Sequence, residues 1–164
     1  MSVLWRLRAL RASRRAPGSV IIARSVRIDE GVRIEVAPGA RLEIGEDCHL
    51  EPHARIFVRG GCVELHDGVV LGERSTLVAL QGITLRERAR LGLRAAVMDF
   101  ELDSAREEPD ARSWPLEARA VEIGAGAIIE TGAVVGAGVS VPTDRRVTPG
   151  ALLVAPREDR SEGA

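Results

Sequence analysis

Residues 63–97 read VELHDGVVLGERSTLVALQGITLRERARLGLRAAV, and this stretch decides the fold. One aliphatic residue returns at every sixth position, and the count is broken once, where Gln81-Gly82 stands. The repeating positions form two triplets, which are Leu65, Leu71 and Leu77, then Leu85, Leu91 and Val97. A period of six matches neither the roughly 3.6 residues of an α-helical turn nor the roughly 3.5 of a coiled coil, so a helical fold is excluded.

The same ladder continues on both sides of this stretch, and all eighteen of its positions are Ile, Leu or Val. The remaining positions are Ile22, Ile28, Ile34, Ile44, Leu50 and Ile56 before it, and Ile123, Ile129, Val135, Val141, Val147 and Leu153 after it. A second column, two residues before each ladder position, is small or aliphatic everywhere except at Arg145. Stacked three-sided coils bury two such columns per side and pair their backbones with one another. The sequence therefore predicts an all-β parallel β-helix of about six coils.

Extra residues collect at one corner of the predicted coil. Between triplets the ladder spacing grows to 10, 9 and 8 residues, at Pro38-Gly39, Gly60-Gly61 and Gln81-Gly82. These pairs contain the residues that turns favour. A much longer gap follows Val97 and predicts a loop excursion over residues 99–119.

Residues 1–18 differ from the rest of the chain. They place Val3, Leu4, Leu7 and Leu10 at helical spacing and contain five Arg without an acid, before Pro17-Gly18 stops the pattern. We predict a short basic N-terminal helix, then the β-helix over residues 19–155 and a flexible tail over residues 156–164. The helix either covers the open end of the solenoid, which we favour, or contacts an anionic membrane surface through residues 1–15.

Composition excludes some classes of protein. The 23 basic and 24 acidic residues nearly cancel, so the chain has no overall field that would attract nucleic acid. Aromatic residues make up 2%, so the core must consist of aliphatic side chains.

Cys48 is expected to point inward and Cys62 to lie at a corner, which argues against a disulfide between them. Free thiols and the lack of an apolar signal stretch lead us to expect a cytoplasmic protein.

With its ladder, its corner loop and its C-terminal run, the chain resembles the hexapeptide-repeat acyltransferases, a family with a left-handed parallel β-helix. The resemblance covers residues 20–157 and rests on GGCVELHDGVVLGERSTLVALQGITL (60–85), VEIGAGAIIETGAVVGAGVSVP (121–142) and TPGALLVAPR (148–157). It implies a homotrimer that binds acetyl-CoA as acyl donor in the groove between two prisms, without a metal. The donor-binding residues that it implies here are Gly124, Gly126, Ala137, Arg145 and Arg157.

In that family a corner loop holds the catalytic His, usually in an Asp-x-Asp-x-His type of stretch. The matching segment here is VMDFELD, residues 97–103, and Glu101 or Leu102 stands where the imidazole is expected. The base must take a proton from a hydroxyl or an amine, and a carboxylate does so less readily than an imidazole. We assign the catalytic role to Glu101 with Asp99 nearby; a solvated acidic loop is the alternative interpretation.

The three His residues lie elsewhere, at His49, His53 and His66. His66 follows Leu65, so we expect it to face outward beside the same corner as the excursion, two coils below and about 10 Å away. It is a further candidate for the catalytic base, and an ordinary surface His is the alternative. The three do not have the spacing of the zinc ligands in the trimeric carbonic anhydrases of this fold, so we expect no metal site.

Two functions from different classes follow from these observations. The first is transfer of an acetyl or similar acyl group from CoA to a hydroxyl or amine of a sugar-like acceptor. The second is a catalytically inactive trimeric solenoid that acts as a scaffold or regulatory subunit. The missing His favours the scaffold, whereas the long excursion favours the enzyme, because long ordered loops in compact domains usually have a function.

Overall fold

The computed structural model describes residues 19–102 and 115–156. Within these ranges the chain is all β, and its strands form three parallel sheets of six strands each and one two-stranded hairpin. This confirms the predicted parallel β-solenoid of about six coils. The predicted N-terminal helix, the membrane contact of residues 1–15 and the tail beyond Pro156 lie outside the described residues. The described part contains no helix that is long and apolar enough to cross a bilayer.

Each coil contributes three strands, one to each sheet. The first three coils are β1 (Val20–Ile22), β2 (Arg27–Ile28), β3 (Arg33–Val36), β4 (Arg41–Ile44), β5 (His49–Leu50), β6 (Arg55–Val58), β7 (Cys62–Leu65), β8 (Val70–Leu71) and β9 (Thr76–Ala79). The fourth coil and the hairpin are β10 (Gly82–Leu85), β11 (Arg90–Leu91), β12 (Ala96–Met98), β13 (Phe100–Leu102) and β14 (Leu116–Ala118). The last two coils are β15 (Val121–Ile123), β16 (Ile128–Ile129), β17 (Val134–Val135), β18 (Ser140–Val141), β19 (Arg146–Val147) and β20 (Leu152–Leu153).

The sheets follow the predicted ladder. Sheet A contains β1, β4, β7, β10, β15 and β18, sheet B contains β2, β5, β8, β11, β16 and β19, and sheet C contains β3, β6, β9, β12, β17 and β20. Ladder residues stand in register between coils, as Leu50, Leu71 and Leu91 do in sheet B. The ladder side chains of the second to fifth coils are buried. Arg145, the charged member of the second column, is exposed in the last coil.

Both cysteines are free thiols. Cys48 is buried in the core, and Cys62 is half-buried at the beginning of β7, next to a corner. Burial raises the pKa of the Cys48 thiol, and burial followed by the charge of Glu64 raises the pKa of Cys62. Both thiols therefore stay protonated at neutral pH and are poor nucleophiles.

Residues in the left-handed conformation turn the chain at the corner between sheets A and B, the A–B corner. Gly68 and Gly126 have positive φ there, and their N–H groups donate to the carbonyls of Glu46 and Glu87 in the preceding coil, at 2.8 and 2.9 Å. Glycine adopts this conformation without steric strain. Arg88 adopts it too, with φ 57°, so the stacking imposes the turn even on a residue with a side chain.

The excursion leaves the coils after β12 and returns before β15, at the corner between sheets C and A, the C–A corner. The shorter insertions lie at this same corner. The described part is the antiparallel hairpin β13–β14, in which Glu101 lies opposite Glu117. The N–H of Arg119 donates to the carbonyl of Asp99 at 2.7 Å and closes the base of the hairpin.

The outer faces of the sheets differ in polarity. Burial alternates along each strand, so Thr76, Val78, Ala96 and Val134 of sheet C face outward, and Leu152 at the end of this sheet is 66% exposed. The outer face of sheet A instead contains several glutamates, at positions Glu43, Glu64 and Glu122. Sheet C is therefore the apolar side of the solenoid from its third coil onward, whereas Arg33, Glu35 and Arg55 face outward from its first two coils.

Leu71 tests the ladder, because its side chain is fully buried. Leu71→Asp places an unpaired carboxylate among aliphatic side chains without water, and should lower the free energy of unfolding by about 4 kcal/mol or more. Val70→Asp is the matched control, since Val70 faces outward between His49 and Arg90, and should cost less than about 1 kcal/mol. Chemical denaturation followed by circular dichroism measures both. A Leu71→Asp protein as stable as the wild type would contradict the assigned ladder.

Candidate active site

Asp99 lies at the base of the excursion, and its side chain is buried. Its Oδ1 accepts a hydrogen bond from the N–H of Leu80 at 2.8 Å, and its Oδ2 accepts from Gln81 and Gly82 at 2.8 and 2.6 Å. These N–H groups belong to the corner between β9 and β10, where the backbone leaves the sheets and needs other acceptors. Asp99, which the sequence grouped with the catalytic candidates, therefore holds this corner in place.

Glu101, the candidate base, lies on β13 at the same corner. Its Oε1 accepts a hydrogen bond from Nη2 of Arg119 at 2.7 Å, and the side chains of Glu101 and Arg119 are 23% and 25% exposed. Glu117 stands directly opposite Glu101, and like charges at facing positions repel each other. The Arg119 cation offsets that repulsion and holds a partly exposed carboxylate at the corner.

Arg119, which no sequence pattern marked as part of the site, joins several segments of the chain. Besides its bond to Glu101, its Nη1 donates to the carbonyl oxygen of Pro156 at 3.0 Å. Its own carbonyl accepts from the N–H of Gly138 at 3.0 Å. Arg119 comes two residues after Glu117, and this spacing would put both on one face of a continued strand. That signal can be used only once the pairing of β13 with β14 is known.

His66 does not lie beside the excursion, so that expectation is wrong. It comes directly after β7 and therefore occupies the A–B corner, whereas the excursion leaves from the C–A corner at the other end of sheet A. The Nδ1 of His66 is 3.0 Å from Oε1 of Glu87. A hydrogen bond from its own backbone N–H, and then the bond with His66, lower the pKa of Glu87. His66 thus belongs to a surface pair away from Glu101.

The residues assigned to the acyl donor fall into two groups. Ala137 is buried at the C–A corner between β17 and β18, so it shares a corner with Glu101. Gly124, Gly126 and Arg145 lie at the A–B corner of the last two coils. The full width of sheet A separates the two groups. Arg157 lies outside the described residues.

Gly124 and Gly126 have a clear role in stacking. A Cβ at Gly124 would lie 2.5 Å from the backbone nitrogen of Thr143, and one at Gly126 would lie 2.2 Å from Oδ1 of Asp144. Real Cβ atoms do not approach a backbone so closely, so only glycine fits at position 124, whereas at position 126 the Asp144 side chain could move and the φ of 66° is what favours glycine. The two glycines therefore form a coil corner between β15 and β16.

No group of three or more His, Cys, Asp or Glu residues within 19–102 and 115–156 is arranged to hold a metal ion. His49 places its Nε2 2.8 Å from Oδ2 of Asp29. His53 turns a corner between sheets B and C, with φ 62°. His49 therefore pairs with a carboxylate, and His53 has a structural position in a turn.

No protein-family profile matches this chain, and no curated protein matches it by sequence. Solved structures do match it. One is a serine-to-cysteine mutant of AntD, an N-acyltransferase from Bacillus cereus, in complex with dTDP-4-amino-4,6-dideoxyglucose and coenzyme A. The sequence identity is 15%, the match covers 92% of this chain and 81% of that chain, and the TM-score is 0.61. Another is AntD with dTDP and 3-hydroxybutyryl-CoA, at 14% identity, with 92% and 80% covered and a TM-score of 0.56. At identities this low, the TM-scores show a shared fold alone.

Asp99→Asn tests whether the buried carboxylate holds the corner. Asparagine retains one acceptor oxygen and turns an NH₂ group toward N–H donors, so we expect the free energy of unfolding to fall by about 2–4 kcal/mol. Asp67→Asn is the control, because Oδ1 of Asp67 accepts one backbone bond, from Glu46 at 2.8 Å, and should cost about 1 kcal/mol or less. Urea denaturation compares the two variants. An equal loss of unfolding free energy in the two variants would show that the three hydrogen bonds of Asp99 stabilise the fold no more than the single bond of Asp67 does.

Proposed function

We propose that this protein transfers an acyl group from CoA to an amine of a sugar-like acceptor. The observation that carries the proposal is the Glu101 carboxylate, partly exposed and held by Arg119 at the corner where the excursion leaves the coils. AntD, which has the same fold, binds coenzyme A and dTDP-4-amino-4,6-dideoxyglucose. That complex supports both the donor and the class of acceptor.

The chemistry of a carboxylate site favours an amine over a hydroxyl. In the reaction a bond forms between the acceptor nitrogen and the thioester carbonyl carbon, the carbon–sulfur bond breaks, the CoA thiolate leaves, and the nitrogen loses one proton. A hydroxyl needs its proton removed as it attacks, and a carboxylate is a weaker base for that step than an imidazole. An amine attacks with its lone pair and becomes a strong acid only afterwards. Glu101 is then a sufficient acceptor for the proton.

The other candidate residues take different parts in this proposal. Ala137 shares the corner of Glu101, which favours it as a contact of the thioester end of the donor. Gly124, Gly126, Arg145 and Arg157 stay predicted contacts for the rest of CoA. Asp99 supports the corner without touching the substrate.

Glu101→Gln tests the role of the carboxylate. The substitution keeps the size of the side chain and removes its capacity to accept a proton, so we expect kcat to fall by about a hundredfold or more. The affinity for CoA, measured by isothermal titration calorimetry, should not change. Glu43→Gln is the matched control, because Glu43 also pairs with an arginine, Arg41, and lies on the outer face of sheet A in the second coil.

The possible outcomes of these measurements separate the two classes of function. A wild-type protein that binds no CoA would remove the enzyme and leave the solenoid scaffold. Full turnover in Glu101→Gln, together with loss of turnover in His66→Ala, would transfer the role of the base to the A–B corner.

We also propose that the protein is a homotrimer. The outer face of sheet C is apolar over several coils, and Leu152 at its end is 66% exposed. A repeated apolar face of this kind needs a covering partner, and closed assemblies of identical chains are the usual solution. Sheet A, with its row of glutamates, is less suited to this contact.

Val78→Arg places a charge in the middle of the sheet C face, and Thr84→Arg makes the same substitution on the outer face of sheet A. Sedimentation velocity at micromolar concentration should give three times 17.6 kDa for the wild type. We expect Val78→Arg to dissociate the assembly because it buries an unpaired charge, and Thr84→Arg to leave it intact. A monomeric wild type, or dissociation by Thr84→Arg alone, would contradict this assignment.

A further inference from the structure

Arg119 connects the excursion to the C-terminal end of the solenoid through two separate nitrogens. Nη2 bonds to Oε1 of Glu101 at 2.7 Å, and Nη1 bonds to the carbonyl oxygen of Pro156 at 3.0 Å. The guanidinium group is planar and rigid, so its donors keep a fixed geometry. These two bonds therefore fix the Glu101 carboxylate relative to the segment that follows β20.

The guanidinium group is also closely packed. A Cβ at Gly138 would lie 3.2 Å from Nη1 and 3.3 Å from Cζ of Arg119, so the group lies against the corner between β17 and β18. Its Nε is buried and finds no acceptor within the described ranges. A buried donor without an acceptor costs free energy, and such costs are retained most often at functional sites.

We infer that Arg119 is a positioning residue, which holds the Glu101 carboxylate in place for acyl transfer by using Pro156 and Gly138 as fixed points. This inference rests on the proposed function of Glu101. Stability alone is a weak reason for the arrangement, because a partly exposed ion pair contributes little. Accurate placement of the Glu101 carboxylate is a stronger reason, because a shift of about 1 Å in a reacting group reduces rates by about a hundredfold.

A double-mutant cycle tests the inference. We expect Arg119→Gln to lower kcat by about 10-fold to 100-fold with little change in the KM for CoA. In the Glu101→Gln background the same substitution should add less than about twofold, because Arg119 acts through Glu101. Arg119→Lys keeps the charge but cannot make both bonds, so it should stay about fivefold or more below the wild type. Arg41→Gln, which breaks the pair of Arg41 with Glu43 on the outer face of sheet A, should keep wild-type turnover.

A second pair of variants moves the guanidinium without removing it. Gly138 and Gly132 have φ of 73° and 68°, so an alanine at either position meets similar backbone strain. A Cβ at Gly132 meets nothing within 4 Å, whereas one at Gly138 presses on the Arg119 guanidinium and on the Cβ of Ala155. We expect Gly138→Ala to lower kcat by about fivefold or more relative to Gly132→Ala, and to have no further effect in the Arg119→Gln background.

The outcomes distinguish this inference from the proposed function. If Arg119→Gln keeps the wild-type kcat while Glu101→Gln loses kcat, the positioning role is overturned and the proposed function is retained. Losses that multiply in the double variant also overturn it, since they indicate a purely structural role. If Glu101→Gln itself keeps full turnover, the proposed role of Glu101 fails, and the positioning role fails with it.

Discussion

The hydrogen bond from a left-handed corner residue to the preceding coil sets the geometry on which the rest of the structure depends. It recurs along the corner between sheets B and C, from His53 to Glu30, from Arg74 to Pro52 and from Arg94 to Glu73, at 3.0, 3.0 and 2.9 Å. The bond forms only where each side of a coil has as many residues as the side beneath it, and this condition imposes the period of six. Insertions are therefore confined to the C–A corner, and so is the candidate site.

Two carboxylates within this corner have opposite environments although they are two residues apart. Asp99 is fully buried, and backbone N–H groups surround its oxygens. Glu101 lies on the hairpin, partly exposed, with a guanidinium as partner. The first environment holds the backbone rigid and the second leaves a charged group near solvent. A rigid support beneath a charged group is the arrangement that accurate placement of that group needs.

The sequence alone predicts the coils, but it does not predict the contacts of the candidate site. A ladder such as Leu65, Leu71 and Leu77 is a local pattern, and the physics of stacking turns it directly into sheets. The contacts of Arg119 join residues 18 and 37 positions apart, and no short-range pattern predicts them. The burial of Asp99 runs against the usual exposure of aspartate, and only the three N–H groups account for it. His66 was misplaced because the two ends of sheet A are alike in a six-residue repeat.

The C–A corner accommodates connections of very different length. Residues 80–81 suffice between β9 and β10, whereas residues 99–120 lie between β12 and β15, yet the flanking strands keep the same register. Doubling the length of a loop adds only about 0.6 kcal/mol of closure entropy. Evolution can therefore exchange one loop for another here while the frame stays unchanged, and descendants of one ancestral solenoid can diverge by altering a single connection.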